Sequence, residues 1–359
     1  MWGRPGSGSL RLSPIEQKPY TTNFIACASK VATICDHAMT SCESIKVYAD
    51  GIAAIDTGFA GRDWGGAVYL MQHGGRSALI DAGTSVSVPR ILAALDNRRV
   101  QPEDVDYIVV THVHLDHAGG AGALMQRFPQ ARLVAHSRGV DHIVDPEVLA
   151  ASVAAVFGPD LFAKHFGHPT SVPRNRVIEA TPGLEIDLAG RPLRFLDTPG
   201  HVGHHLCVVD ALSRGMFTGD ALGYSFPQAN LQDRAFVVPA TPPPDFDPQA
   251  MQRSIDLVVD AAPEAVYLGH GGRVAQIPTI ALDLRRLLDK LLDFGRKLCA
   301  SPLPERLRAQ RYIDLVSRDW QAIGCKLLTF QLRPLLEWDA LVNCQGLAHW
   351  AERERTVAQ

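Results

Sequence analysis

The stretch Thr111-His112-Val113-His114-Leu115-Asp116-His117 constrains this chain more than any other. Four metal-capable side chains fall within six residues, directly after the apolar run Tyr107-Ile108-Val109-Val110. That run is short, rich in β-branched residues and preceded by the polar Gln101-Pro102-Glu103-Asp104, so it reads as a buried strand. Behind the cluster, Gly119, Gly120 and Gly122 lead into residues 123–128, which read as a short helix. The cluster therefore belongs on a strand-to-helix loop at the end of a sheet, where α/β folds keep their sites. Alternate residues of an extended loop point the same way, so His112 and His114 can grip one cation together. Asp116 and His117 face differently and can grip a second. Histidine is the commonest metal ligand, which makes a chance gathering of loop histidines the poorer alternative.

Four further blocks close apolar runs elsewhere: Leu79-Ile80-Asp81-Ala82-Gly83, Asp197-Thr198-Pro199-Gly200-His201-Val202-Gly203-His204, Phe217-Thr218-Gly219-Asp220 and Leu268-Gly269-His270-Gly271. Taken in this order over roughly residues 46–278, the five blocks resemble the HxHxDH signature and accompanying motifs of the metallo-β-lactamase superfamily. The resemblance implies an α/β fold, the αββα sandwich. It also implies two divalent metal ions: His112, His114 and His201 on the first, Asp116, His117 and His270 on the second, and Asp220 bridging both. Asp81 would support the metal loop without touching metal. Five imidazoles and two carboxylates form a borderline-soft set that suits zinc, with iron or manganese open. Aspartate at position 116, with no cysteine in the set, argues against the β-lactamase branches that use a thiolate ligand.

A metal ion with open positions lowers the pKa of bound water to about 7. The implied activity is hydrolysis of a thioester or related ester by metal-bound hydroxide, with Asp116 and Asp220 in the catalytic machinery. The Thr-Pro-Gly-His-x-x-Gly-His block paired with Phe-Thr-Gly-Asp resembles the glyoxalase II-like (hydroxyacylglutathione hydrolase-like) hydrolases. The Gly219-Asp220-Ala221-Leu222-Gly223 run, an inserted cap and a helical C-terminus resemble the quinolone-signal response thioesterase branch. Two departures keep the substrate open between a small-molecule thioester and a lactone of the acyl-homoserine-lactone type. No basic glutathione-binding cluster is evident in the C-terminal region. The tyrosine that lactonases place just after the bridging aspartate comes one residue later, as Tyr224. Tyr224 either donates a hydrogen bond to a carbonyl oxygen or leaving group, or is a packed aromatic. His204 reads as orienting a loop or ligand.

Composition narrows the competing classes. A nuclease or phosphodiesterase needs a basic arm or patch, whereas the 359 residues carry a net charge of −3 and no basic run, so no nucleic-acid partner is expected. A di-iron redox or oxygen-binding module is a further alternative that metal analysis would separate. No apolar segment reaches the about 18 residues that span a bilayer, so no membrane partner is expected. The seven cysteines are odd in number, form no CxxC and avoid the histidine blocks, which disfavours a disulfide framework or a Cys-rich zinc site. They read as reduced, buried thiols of a cytoplasmic protein. A homodimer is left open.

Three domains are expected: a leader over 1–45, disordered, a catalytic domain over 46–278, and a helical extension over 279–359. Organelle targeting by residues 1–38, or a start at Met39, are alternatives for the leader. Residues 45–55, 67–71 and 78–80 read as meander strands, and residues 89–95 as a helix opening on proline. Residues 137–180 read as an inserted helical cap whose His136, His142, His165 and His168 lack partners at ligand spacing. Residues 224–244 read as a long loop of functional or mobile character. Residues 265–268 read as the last strand. Beyond Gln276, Ile280, Leu284, Leu287, Leu288, Leu291 and Leu292 recur at helical spacing, as a face packed on the sandwich. Further helices are read near 307–316, 324–332 and 340–350.

Overall fold

The computed structural model describes residues 44–299 and 303–357. The leader lies outside them but for its last two residues, and Ile45 already opens the first strand. β1 (Ile45–Val47) and β2 (Ile52–Asp56) form a hairpin, so the run read as one strand is broken in its middle. The cause is Asp50-Gly51, with φ values of 58° and 68°, the left-handed pair that closes tight hairpins. β3 (Ala67–His73) and β4 (Arg76–Ile80) extend the meander antiparallel. Then α1 (Val88–Asn97), entered through Pro89, crosses over to β5 (Val105–Val109), parallel to β4. After α2 (Leu115–Ala118) and α3 (Ala121–Arg127), β6 (Arg132–His136) continues the parallel run.

The insertion supplies α4 (Val140–Val144), α5 (Glu147–Phe157) and α6 (Pro159–His165). It ends earlier than expected, because β7 (Val177–Ala180) pairs with β6 and completes a seven-stranded sheet in the order β1 to β7. β8 (Glu185–Leu188), β9 (Arg191–Asp197), β10 (Leu206–Asp210) and β11 (Gly215–Gly219) build most of a second sheet. The two-residue strands β12 (Tyr224–Ser225) and β13 (Val237–Val238) form a separate pair. α7 (Pro248–Asp260) starts at an Asp247 cap whose carboxylate accepts from the Gln249 and Ala250 amides. β14 (Ala265–Leu268) is parallel to β11, and a further strand, β15 (Gly272–Val274), turns back along it. The second sheet runs β15-β14-β11-β10-β9-β8. Three helices follow: α8 (Ile277–Cys299), α9 (Glu305–Ala322) and α10 (Thr329–Val357).

The period of two along a strand sorts side chains into layers. In β2 and β3, Ile52, Ala54, Tyr69 and Met71 join Phe195, Val208, Phe217 and Tyr267 in a core between the sheets. Their neighbours Ala53, Ile55, Val68 and Leu70 face the other way, onto Ile91 and Leu95 of α1 and Leu124 of α3. On the outer face of the second sheet, Cys207 and Met216 pack with residues of α7, α8, α9 and α10. Helix, sheet, sheet, helix is the αββα order expected. No helix among the described residues is long and apolar enough to cross a membrane. Cys207, Cys325 and Cys344 are buried free thiols.

Two expectations for the C-terminal half change. α10 is continuous where two helices were read, and it passes through Pro334 in its second turn at the loss of one backbone donor. The stretch 224–244 carries the short pair β12–β13 within its loop, and Phe226, Phe236, Val237, Val238 and Ala240 are buried under the extension. Trp320 Nε1 donates to the Val237 carbonyl at 3.2 Å. α10 presses so close that a Cβ on Gly346 would stand 1.9 Å from the Thr241 carbonyl oxygen. Asn343, one turn earlier on the helix, accepts from the Thr241 amide at 2.8 Å and donates to the hydroxyls of Tyr224 (2.6 Å) and Tyr312 (3.0 Å).

Asn343→Ala leaves the Thr241 amide without its acceptor and the Tyr224 and Tyr312 hydroxyls with only each other in an apolar setting. Urea denaturation is expected to show a loss of about 2–4 kcal/mol in unfolding free energy, the scale of two or so unsatisfied buried groups. A loss below about 1 kcal/mol would mean that the amide does not pin the extension.

Candidate metal centre

The carboxyl ends of parallel strands meet on one side of the sandwich. β4 and β5 bring Asp81 and His112, while β11 and β14 bring Asp220 and His270. His201 arrives on the loop between β9 and β10. His112 and His114 lie on the irregular segment between β5 and α2, while Asp116 and His117 lie on α2, a single helical turn in place of a continued loop. Candidate ligand atoms gather into three sets: His112, His114 and His201; His112, His117 and Asp220; Asp116, His117 and His270. His114 Nδ1 stands 2.9 Å from His112 Nε2 and 3.0 Å from His201 Nε2. His117 Nε2 stands 3.1 Å from His270 Nε2. The Asp220 carboxylate lies between, with Oδ2 3.4 Å from His201 Nε2 and Oδ1 3.5 Å and 3.6 Å from His117 and His270. Asp116 Oδ2 is 3.5 Å from His270 Nε2.

The far nitrogens of these rings say where the protons are, because a neutral imidazole donates from one nitrogen and accepts at the other. His117 Nδ1 is 2.8 Å from the Asp81 carboxylate, His201 Nδ1 is 3.1 Å from the Ala240 carbonyl, and His270 Nδ1 is 2.5 Å from the Gly65 carbonyl. All three partners only accept. The Thr111 hydroxyl gives its proton to Asp81 at 2.9 Å, so at 3.2 Å it can only accept from His112 Nδ1. In its neutral form each of these four rings therefore turns a bare Nε2 lone pair inward. Facing lone pairs about 3 Å apart repel unless a positive charge stands between them. Tetrahedral zinc bonds of about 2.0–2.1 Å would separate such nitrogens by about 3.3 Å, close to what is found. Asp220 Oδ1 is also buried with no hydrogen-bond donor. The donor set fits metal.

Charge points the same way. Burial, aided by neighbouring imidazoles, pushes His112, His114 and His201 well below the usual histidine range, which keeps them neutral and ready to ligate. Burial works against a charged His117 too, but the carboxylates of Asp220, Asp81 and Asp116 outweigh it and push the ring up to about 10. The carboxylates thus demand a cation at this spot. A proton on His117 meets that demand until a metal ion replaces it and releases it.

One supporting residue was not anticipated. His205 is fully buried, its Nε2 accepts from the Asp220 amide at 3.1 Å, and its Nδ1 meets the Thr198 hydroxyl at 2.8 Å. It stands directly after His204, and its only sequence signal was that doubled histidine. His204 is 6.2 Å from the rings of His114 and His142, outside all three ligand sets, and burial lowers it to about 4. His136 pairs with Asp197, His165 packs on Trp338, and His168 pairs with Glu147. Tyr224 lies close by and is held by its hydroxyl. Its ring lies 6.3 Å from that of His270, but its buried hydroxyl is engaged by Asn343 and is not presented over the ligand sets. The loop that carries it is pulled under α10.

Asp81→Ala removes the carboxylate that orients His117 and, through Thr111, His112. Metal affinity is expected to fall about 10–100-fold, the usual consequence of losing such a partner, as read by competition with a chelator. Unchanged affinity would show that packing alone aims the two rings.

The family profile of the metallo-beta-lactamase superfamily matches residues 61–270. The chain is 31% identical over 227 residues to the Metallo-beta-lactamase fold-containing protein ST1585 of Sulfurisphaera tokodaii, covering 62% of this chain and 78% of that one. Superposed on the crystal structure of ST1585 from Sulfolobus tokodaii, it gives a TM-score of 0.58 at 27% identity, over 84% of this chain and 99% of that one. It is 28% identical over 156 residues to a hydroxyacylglutathione hydrolase of Aeromonas hydrophila, and 26% identical over 220 residues to the thioesterase pkgB of Emericella nidulans. These two matches take in 43% and 59% of this chain but only 46% and 48% of the relatives' lengths. The chain belongs to the metallo-beta-lactamase superfamily, whose fold generally binds metal ions and whose members include hydroxyacylglutathione hydrolases and thioesterases.

Proposed function

We propose that this chain is a dinuclear metal-dependent hydrolase that cleaves a thioester or related ester of a small molecule. The observation that carries the reading is the placing of Asp220 between two sets of inward-facing imidazole nitrogens. His112, His114 and His201 would hold one ion, and Asp116, His117 and His270 the other. The donors suit zinc best. Bound there, such a pair supplies water acidified toward neutral pH and polarises a carbonyl oxygen. Asp220 sets the spacing, since each of its oxygens reaches one set and its charge lies between them.

The floor of the site excludes water, because His112, His117 and His201 are buried. His114, Asp116 and His270 are half-buried and mark the open side. Asp116 is the more exposed of the two carboxylates, at 20% against 7% for Asp220. Burial would raise it, but His117, His270 and His114 outweigh that and hold it below the usual carboxylate range. It stays ionised, and can take the proton of an attacking water and return it to the leaving sulfur. Overall, water adds across the C–S bond, the acyl carbon keeping the hydroxyl and the sulfur the hydrogen. Among the described residues no cysteine joins the ligand sets, and burial pushes the Cys207 and Cys344 thiols up to about 12. The hydrolase and thioesterase among the relatives support this class of reaction.

Metal analysis of the purified chain is expected to find about two zinc equivalents, with activity on thioesters in a panel that also holds lactones and phosphodiesters. Asp220→Ala should lower kcat/KM by about 1,000-fold, the scale of losing one preorganised electrostatic element, and should reduce the metal content. Normal metal loading with full activity in that variant overturns the bridging role. Activity confined to lactones or phosphodiesters replaces the substrate class.

A further inference from the structure

Five aromatic side chains from three parts of the chain gather beside the metal centre. Phe59 comes from the turn after β2, Phe157, Phe162 and Phe166 from the helical insertion, and Trp338 from α10. Phe59 meets Phe166 and Trp338 edge on, at ring separations of 5.3 Å and 5.9 Å, and Trp338 stacks on Phe157 at 5.3 Å with 15° between planes. The cluster touches the metal centre twice. Leu115, between His114 and Asp116, is one of its buried members, and the Phe59 ring lies 6.4 Å from that of His270. The three residues it neighbours are the half-buried ones, so the aromatics flank the open side and not the floor.

Phe59 and Phe166 are buried, while Phe157, Phe162 and Trp338 keep part of their rings exposed. Apolar surface is therefore left next to the opening. Trp338 is held from behind: Arg62 donates to the Asp339 carboxylate at 2.6 Å and to the Leu335 carbonyl at 3.2 Å, tying α10 to the turn that carries Phe59. An apolar wall with a few convergent polar groups at one end is the usual build of a small-molecule site.

We infer that this wall is the subsite for the acyl part of the substrate, which carries an apolar acyl group on the scissile carbonyl. The inference rests on the hydrolase reading given above. A hydrocarbon chain or aromatic ring gains from burial against Trp338 and Phe157, whereas a charged acyl group would lose hydration against those two rings. Each methylene that the wall buries raises kcat/KM about fourfold.

The test uses the zinc-loaded full chain with acetyl, hexanoyl and decanoyl thioesters of one thiol, N-acetylcysteamine. The wild type is expected to prefer decanoyl to acetyl by about 100-fold or more. Trp338→Ala should lower kcat/KM for decanoyl about 10-fold, mainly through KM, and leave acetyl within about twofold. Trp338→Phe keeps an aromatic and guards against misfolding; it should lose about threefold on decanoyl only. No chain-length preference in the wild type, or an equal loss on all three substrates, overturns the inference. Calorimetric titration with decanoate separates it from the hydrolase reading. If no thioester is cleaved, that reading fails, yet decanoate binding weakened by Trp338→Ala still supports the wall. Absent or unchanged decanoate binding overturns it.

Discussion

The carboxylate of Asp81 holds the frame in which the other groups of the centre are placed. It accepts from the Thr111 amide at 2.8 Å, from the Thr111 hydroxyl, and from His117 Nδ1. The Asp81 amide donates to the Val109 carbonyl and the next amide, Ala82, to the His117 carbonyl, both at 2.7 Å. The ends of β4 and β5 and the turn of α2 are therefore one hydrogen-bonded knot. Asp81 has φ of 64°, a left-handed conformation that costs a non-glycine residue about 1–3 kcal/mol. Three bonds to a buried charge offset that strain. One acid thus settles the proton positions of two histidines, His117 directly and His112 through the threonine hydroxyl.

The second sheet meets this knot with its own strand ends. His205 holds the Asp220 backbone, and the Gly65 and Ala240 carbonyls aim His270 and His201. Four of the five ligand rings, His112, His117, His201 and His270, are steered by an acceptor outside the ligand sets. Aim and charge overlap in one residue: the backbone and Thr111 direct three rings, Asp81 directs His117 and adds charge, and Asp116 and Asp220 supply the rest of the electrostatic demand for cations.

The parts of the fold legible in the sequence were those with a local signature. The dense spacing of residues 112–117 and the apolar run before each motif block placed most strands and brought the seven candidate ligands together. What escaped depends on partners far along the chain. Whether Tyr224 points at a substrate or into a core is decided by Asn343, 119 positions away. The stretch after Asp220 read as a loop because its apolar residues show no period, yet α9 and α10 arrive to cover them. His205 was masked by its neighbour, since adjacent histidines cannot be told apart by spacing. Trp338 likewise gains meaning only once the insertion has folded beside it.

The close seat of α10 on the backbone at Thr241 bears on how such proteins can be recombined. Asn343 and Gly346 are three positions apart, so they share one face of the helix and meet the same short segment, one through an amide and one by leaving room. A C-terminal region transplanted from a relative would seat here only if it carried a small residue and a hydrogen-bonding amide at that interval. Those two positions form a matching rule for chimeras: sandwich and tail can be exchanged as a pair, but a mismatched tail meets Thr241 before it can bring any aromatic to the opening.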